Sequence, residues 1–174
     1  MFINNIRNLR LIKGGLLAIV LFILISCGGS NITEDSKDYR ELQELVSTRQ
    51  FEIDNNWAYP NVGGNINLIG NPNYLKIKND SVDIFLPYFG VRHAGGSYGS
   101  DKGGFEYAGT VQNLNFKDNP AKNNIEITFE TVANGENLDF RITLYPNNTA
   151  RTFVRSNQRA TISYEGKLSK IEQD

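Results

Sequence analysis

Cys27 carries the most reactive side chain of the sequence. It is the only cysteine among 174 residues, and a thiolate at an accessible position beside a membrane is a nucleophile that can accept a diacylglycerol group. The preceding residues Leu24-Ile25-Ser26 put a small side chain next to the bond that a peptidase would have to approach. Other candidates for chemistry are weaker. His93 is the only histidine, so a multi-histidine metal site is excluded, and no Gly-x-Ser-x-Gly elbow accompanies it. The carboxylate pairs Asp80 with Asp83, and Glu126 with Glu130, have the residue types for acid and base work on a glycan. On alternating strands, however, Glu126 and Glu130 fall on the polar face and read more simply as solubility. No catalytic residue, metal site or cofactor is therefore assigned.

The surroundings of Cys27 explain why a lone thiol would stand there. Arg7, Arg10 and Lys13 precede the unbroken apolar run Leu16 to Ile25, the order of charged, hydrophobic and cleavage regions in a secretory signal. That run is too short to span a bilayer, which takes about 20 residues. Leu24-Ile25-Ser26-Cys27 resembles a bacterial type II lipoprotein signal, in which the cysteine becomes the first mature residue and carries the lipid. Two or three acyl chains hold a protein stably, whereas one does so only marginally. The expected organisation is a signal peptide over 1–26, a flexible Gly-, Ser- and Asn-rich tether over 27–37, and one globular domain over 38–174. Three of the 18 basic residues and none of the 19 acidic ones precede Cys27, so the mature chain carries a net charge near −4. A nucleic-acid partner would demand a basic stripe instead. With one cysteine there is no internal disulfide, and stability must come from packing.

The elements that would position any site are read from periodicity. Tyr39, Leu42 and Leu45 or Val46 fall at helical spacing, and Asp38 three positions before Glu41 offers a capping box, so one helix is expected over about 38–49. Beyond it the period is two. Ile125, Ile127 and Phe129 alternate with polar residues, as do Leu138, Phe140, Ile142 and Leu144. Looser alternation marks Phe51 and Ile53, Leu75 and Ile77, Val82 to Leu86, and Ile162 and Tyr164. Asn134-Gly135, Pro146-Asn147-Asn148 and Asn79-Asp80 are tight-turn sequences that join antiparallel neighbours and leave no room for crossover helices. The fold class is mainly β: an antiparallel meander of about eight strands forming a barrel-like or sandwich domain, with one N-terminal helix.

Several ordered segments carry a family resemblance: Trp57-Ala58-Tyr59-Pro60, Asn71-Pro72-Asn73-Tyr74-Leu75, the run Asp80 to Gly90 ending Leu86-Pro87-Tyr88-Phe89-Gly90, Gly104-Phe105-Glu106-Tyr107, and Ser156-Asn157-Gln158-Arg159. Over residues 38–170 the chain resembles domain of unknown function family 4251. That resemblance implies an exported bacteroidete protein, often a lipoprotein, and implies no activity. Asp80-Ser81-Val82 also fits the short acceptor pattern for O-glycosylation of such proteins, and equally fits a turn entering a strand.

Two features remain as a candidate ligand or partner surface. Pro87 cannot donate to a ladder, so Leu86 to Gly90 reads as a strand end where Tyr88 and Phe89 make an aromatic corner. The stretch 95–104 holds five glycines and Tyr98, and reads as a long hairpin loop; it lacks the following helix and the Lys-Ser/Thr ending of a phosphate loop. The expected surface is Tyr88, Phe89, His93 and Tyr98. The functional expectation is a non-enzymatic envelope lipoprotein, exported, lipid-anchored at Cys27 in the outer membrane, that binds a small hydrophobic molecule, a glycan or an envelope protein. The alternative is a hydrolase acting on an envelope polymer through paired carboxylates.

Overall fold

The computed structural model describes residues 36–94 and 103–171. Cys27, the signal and nearly all of the tether, like Tyr98 and the glycine-rich stretch around it, lie outside the described residues.

Helix α1 (Lys37–Ser47) turns Tyr39, Leu42 and Val46 inward at helical spacing. It starts one residue earlier than expected, because Ser36 is the N-cap: its hydroxyl accepts a hydrogen bond from the Tyr39 amide at 3.2 Å, and the Asp38 capping box is not what starts the helix. It stops at Ser47 because Arg49 takes a left-handed backbone conformation, φ 52°, which breaks the helical path into the first strand.

Ten strands follow among the described residues: β1 (Gln50–Pro60), β2 (Ile66–Asn67), β3 (Tyr74–Lys78), β4 (Ser81–Pro87), β5 (Gly104–Thr110), β6 (Gln112–Asn119), β7 (Asn124–Ala133), β8 (Glu136–Leu144), β9 (Thr149–Ser156) and β10 (Ile162–Lys170). Every ladder is antiparallel. The order β5-β4-β3-β1-β10-β9-β8-β7-β6 is a meander that returns on itself, because β10 pairs with β1, while the short β2 pairs with β1 to one side. The two edge strands, β5 and β6, are successive in the chain and separated only by Val111. The run 104–119 thus hands its pairing from β4 to β7 at its middle, where a register shift between Gln112 and Asn115 and the left-handed Asn113 (φ 54°) bend it. The sheet, nine strands in order with β2 to one side, is nearly closed into a barrel.

The turns are those the sequence calls for. Asn134 and Gly135, with φ 53° and 76°, form the two-residue link between β7 and β8, a geometry that needs positive φ at both positions. Asn79 and Asn148 take φ 58° and 57° in the β3–β4 and β8–β9 turns.

Alternation then fills the barrel. Phe51, Ile53, Leu75, Ile77, Ile84, Ile127, Phe129, Phe140, Ile142 and Tyr164 are each no more than 2% exposed and belong to one continuous apolar cluster, which the inner face of α1 joins. Phe129 and Phe140, opposite each other on β7 and β8, stack with centroids 4.7 Å apart. Helix α1 lies at one end of the barrel: the Tyr39 hydroxyl reaches Asp118 and the Asn124 carbonyl at the β6–β7 connection, and Gln43 Nε2 donates to the other Asp118 oxygen at 2.6 Å. At that same end Arg49 pairs with Asp80 at 3.0 Å and lies over the Phe116 ring.

Candidate functional site

At the opposite end of the barrel converge the β4–β5 connection, the β7–β8 turn and the β9–β10 connection. Pro87 closes β4, as its missing amide proton requires, and β10 reaches across to it through the Tyr164 hydroxyl, which donates to the Pro87 carbonyl at 2.7 Å. Past Pro87 the chain pairs again, now with the β9–β10 connection: the Ala160 amide donates to Val91, and the His93 and Ala94 amides both donate to Gln158. This short ladder holds residues 91–94 against the β9–β10 connection.

A buried ion pair supports it. Glu136, the first residue of β8, has a side chain only 5% exposed, and Arg159 faces it with 8% exposure. Arg159 donates through Nε to Glu136 Oε2 at 3.0 Å and through Nη1 to the Gly104 carbonyl at 3.1 Å. Its guanidinium also lies over the rings of Phe105 and Tyr88, 4.7 and 5.1 Å from their centroids. The Ser156 hydroxyl donates to the other Glu136 oxygen, while Arg92, with a side chain one-third exposed, adds a longer contact at 3.4 Å. Two guanidiniums against one carboxylate leave a positive excess here, and it resides on the more exposed Arg92.

The structure gives the three described residues of the expected surface, Tyr88, Phe89 and His93, different roles. The one proton of the Tyr88 hydroxyl is shared between the Val91 and Ala160 carbonyls, 2.9 and 3.1 Å away, and its ring packs edge-on against Phe105. Burial raises its pKa above the ordinary tyrosine value. Tyr88 is thus a brace within the loop end. Phe89 is half-buried against the core, whereas His93 is exposed beside Arg92. Tyr98 lies outside the described residues. Glu136, Arg159 and Arg92 were missed by the sequence reading, since nothing local to Glu136 marks it as buried and its partners are long-range.

Neither carboxylate pair proposed from sequence faces a cleft. Asp80 is exposed in the β3–β4 turn and engaged by Arg49, and Asp83 lies on the outer wall of β4. Glu126 and Glu130 point outward from β7. A different juxtaposition appears instead: Glu130 is directly opposite Asp139 on β8, in a groove of the outer wall that Arg141, Phe153 and Arg155 also line. Among the described residues no group of three or more His, Cys, Asp or Glu side chains could hold a metal ion. No described helix is long and apolar enough to cross a membrane.

Residues 33–168 match the family model described as Domain of unknown function (DUF4251). The fold is similar to that of a crystal structure of a DUF4251 family protein from Bacteroides eggerthii DSM 20697, with a TM-score of 0.58 and 19% identity, covering 80% of this chain and 92% of that one. No curated protein matches the chain.

Proposed function

We propose, from the premise that the chain belongs to the DUF4251 family, that it is a lipid-anchored, non-enzymatic binding module of the bacterial cell envelope, exported and held at the outer membrane through Cys27. Its loop end meets a protein partner there. The observation that carries this reading is the division of the described residues into one buried apolar cluster on the inner faces of the strands and exposed polar groups, Arg92 and His93, at the loop end, where a partner can be met on the surface. The loop end favours a protein over a small hydrophobic molecule. Its described aromatic residues, Tyr88 and Phe89, are turned against the fold, and it offers a braced rim with the exposed polar groups Arg92 and His93. Rigid backbone beneath exposed polar side chains lowers the entropy lost on association.

Two measurements test it. Metabolic labelling with a palmitate analogue should mark the intact chain and leave a Cys27→Ala variant unlabelled. A photo-crosslinking residue at His93 should then capture one envelope protein reproducibly, while the same residue at Lys122, at the helix end, should not. Equal capture from both positions, or none from His93, would remove the loop end as the docking surface.

The hydrolase reading draws its support from Glu130 opposite Asp139, since side chains directly across an antiparallel pair approach within about 5 Å. Asp139 is taken up by Arg155 at 2.6 Å, however, which suits a held binding group better than an acid that exchanges protons with substrate. Turnover of a soluble envelope glycan that disappears in a Glu130→Gln variant would establish hydrolysis over binding.

A further inference from the structure

The outer wall of the barrel carries a second pattern that the loop end does not use. Across five adjacent strands the register aligns one outward-facing row, Tyr59–Ser163–Phe153–Arg141–Thr128, from β1 through β10, β9 and β8 to β7. Phe153 is 43% exposed, an unusual position for a phenylalanine, because β9 places the small Ala150 and Thr152 inside and the aromatic outside. A groove lies to either side of it, each of about 390 Å³, within the range of small-ligand sites. One holds Glu130, Asp139, Arg141 and Arg155; the other holds Tyr59, Arg151, Ser163 and Glu165. Tyr59 and Phe153 are two strands apart, about 10 Å along the row. Trp57 lies in the neighbouring row, opposite Glu165, and is 37% exposed.

The charges on this wall select among ligands. Arg155 pairs with Asp139 at 2.6 Å and Arg151 with Glu165 at 2.9 Å, while Arg141 and Glu130 add one charge of each sign. Over the residues that line the two grooves the sum is zero, so a polyanion or a polycation meets as much repulsion as attraction there. What the pairs do offer is donors and acceptors side by side in held geometry, guanidinium N–H beside carboxylate oxygen. A hydroxyl group, which both donates and accepts, is complementary to that arrangement. The flat C–H face of a sugar ring is complementary to an exposed aromatic ring. We propose that this wall binds an uncharged, linear oligosaccharide lying across the strands, with sugar rings over Phe153 and Tyr59 and their hydroxyls in the two flanking grooves.

Trp57 is the only tryptophan of the chain and stands beside this row, so its emission is a built-in reporter. The intact chain would be titrated with chitohexaose, cellohexaose and maltohexaose, with dextran sulfate as the anionic comparison. The expected result is saturable change in emission with at least one neutral hexasaccharide, weakened about tenfold or more by Phe153→Ala and by Tyr59→Ala. A circular dichroism melt of both variants close to that of the parent keeps that loss attributable to the surface, since Phe153 is exposed. A His93→Ala variant should bind sugar as the parent does, so that failure of the loop-end reading and failure of this one are separable. No saturable response to any of the three up to about 10 mM, unchanged binding by Phe153→Ala, or a response to dextran sulfate alone would overturn the proposal.

Discussion

Arg159 and Glu136 are 23 positions apart in sequence and form a buried pair at the loop end, Nε to Oε2 at 3.0 Å, with each side chain less than a tenth exposed. Their value lies in the three connections they join. Removing one partner strands a charge in a low-dielectric setting, so Arg159→Ala should lower unfolding free energy by about 3–5 kcal/mol in urea titrations. Replacing both, as Arg159→Met with Glu136→Leu, should recover most of that loss. A double variant as unstable as the single one would mean that the pair contributes net stability and is not merely mutually compensating.

Gly166 on β10 is set by close approach rather than by a turn. A Cβ placed there would lie 2.2 Å from the Asp54 carbonyl oxygen and 2.6 Å from the Asn55 Cα, both backbone atoms of β1 beside its bulge. Gly166→Ala should therefore force β1 and β10 apart at the ladder that closes the barrel. A loss of about 1–3 kcal/mol is expected, with the transition still cooperative. Equal stability in thermal melts would show that the bulge moves freely.

Alkaline pH should destabilise the domain through Tyr164. Burial raises the pKa of its phenol far above the ordinary tyrosine value, and its proton is given to the Pro87 carbonyl. The folded pKa exceeds the unfolded one, so this contribution is complete below the unfolded value of about 10 and is lost as pH rises beyond it. Tyr88 and Tyr74, both raised chiefly by burial, act in the same direction. Stability measured from pH 8 to 11.5 should fall above about 10, and Tyr164→Phe should flatten that fall. An identical slope in the variant would assign the alkaline transition elsewhere.

Asp118 latches helix α1 to β6, receiving Tyr39 on one oxygen and Gln43 on the other. Asp118→Ala leaves the apolar face of the helix packed and the Tyr39 hydroxyl within reach of the Asn124 carbonyl, but removes both ties to Asp118, at a cost of about 1–3 kcal/mol. Hydrogen exchange should quicken over residues 37–47 while β1, β8 and β10 keep their protection. Uniform quickening across the sheet would mean that helix and barrel open as one unit.

Strands whose inner residues are large and apolar were legible in the sequence, and those with small inner residues were not. The alternation of β7 and β8 is plain because the inside holds Ile125, Ile127, Phe129, Leu138, Phe140 and Ile142. Strand β9 gives no such signal, since Ala150 and Thr152 face in while Phe153 faces out. Strand β6 is masked in another way: it is half of one bent run, with Leu114 and Phe116 only partly covered. At the loop end, local sequence pointed to Tyr88 and Phe89 because aromatics stand out. It could not find Glu136, whose burial depends on Arg159, nor the row through Tyr59 and Phe153, which exists only once the register of four ladders is fixed.

Because α1 leads into the barrel at the end away from His93, a pull on the N-terminus is mechanically directional. Tension applied at Ser36 would load the Tyr39 and Gln43 ties to Asp118 before it reaches β1. Beyond them β1 is locked between β10 on one side and β3 on the other, so its hydrogen bonds are loaded together in shear. The helix is thus a fuse of 11 residues: drag on the chain would release it while the β wall and the loop end keep their shape.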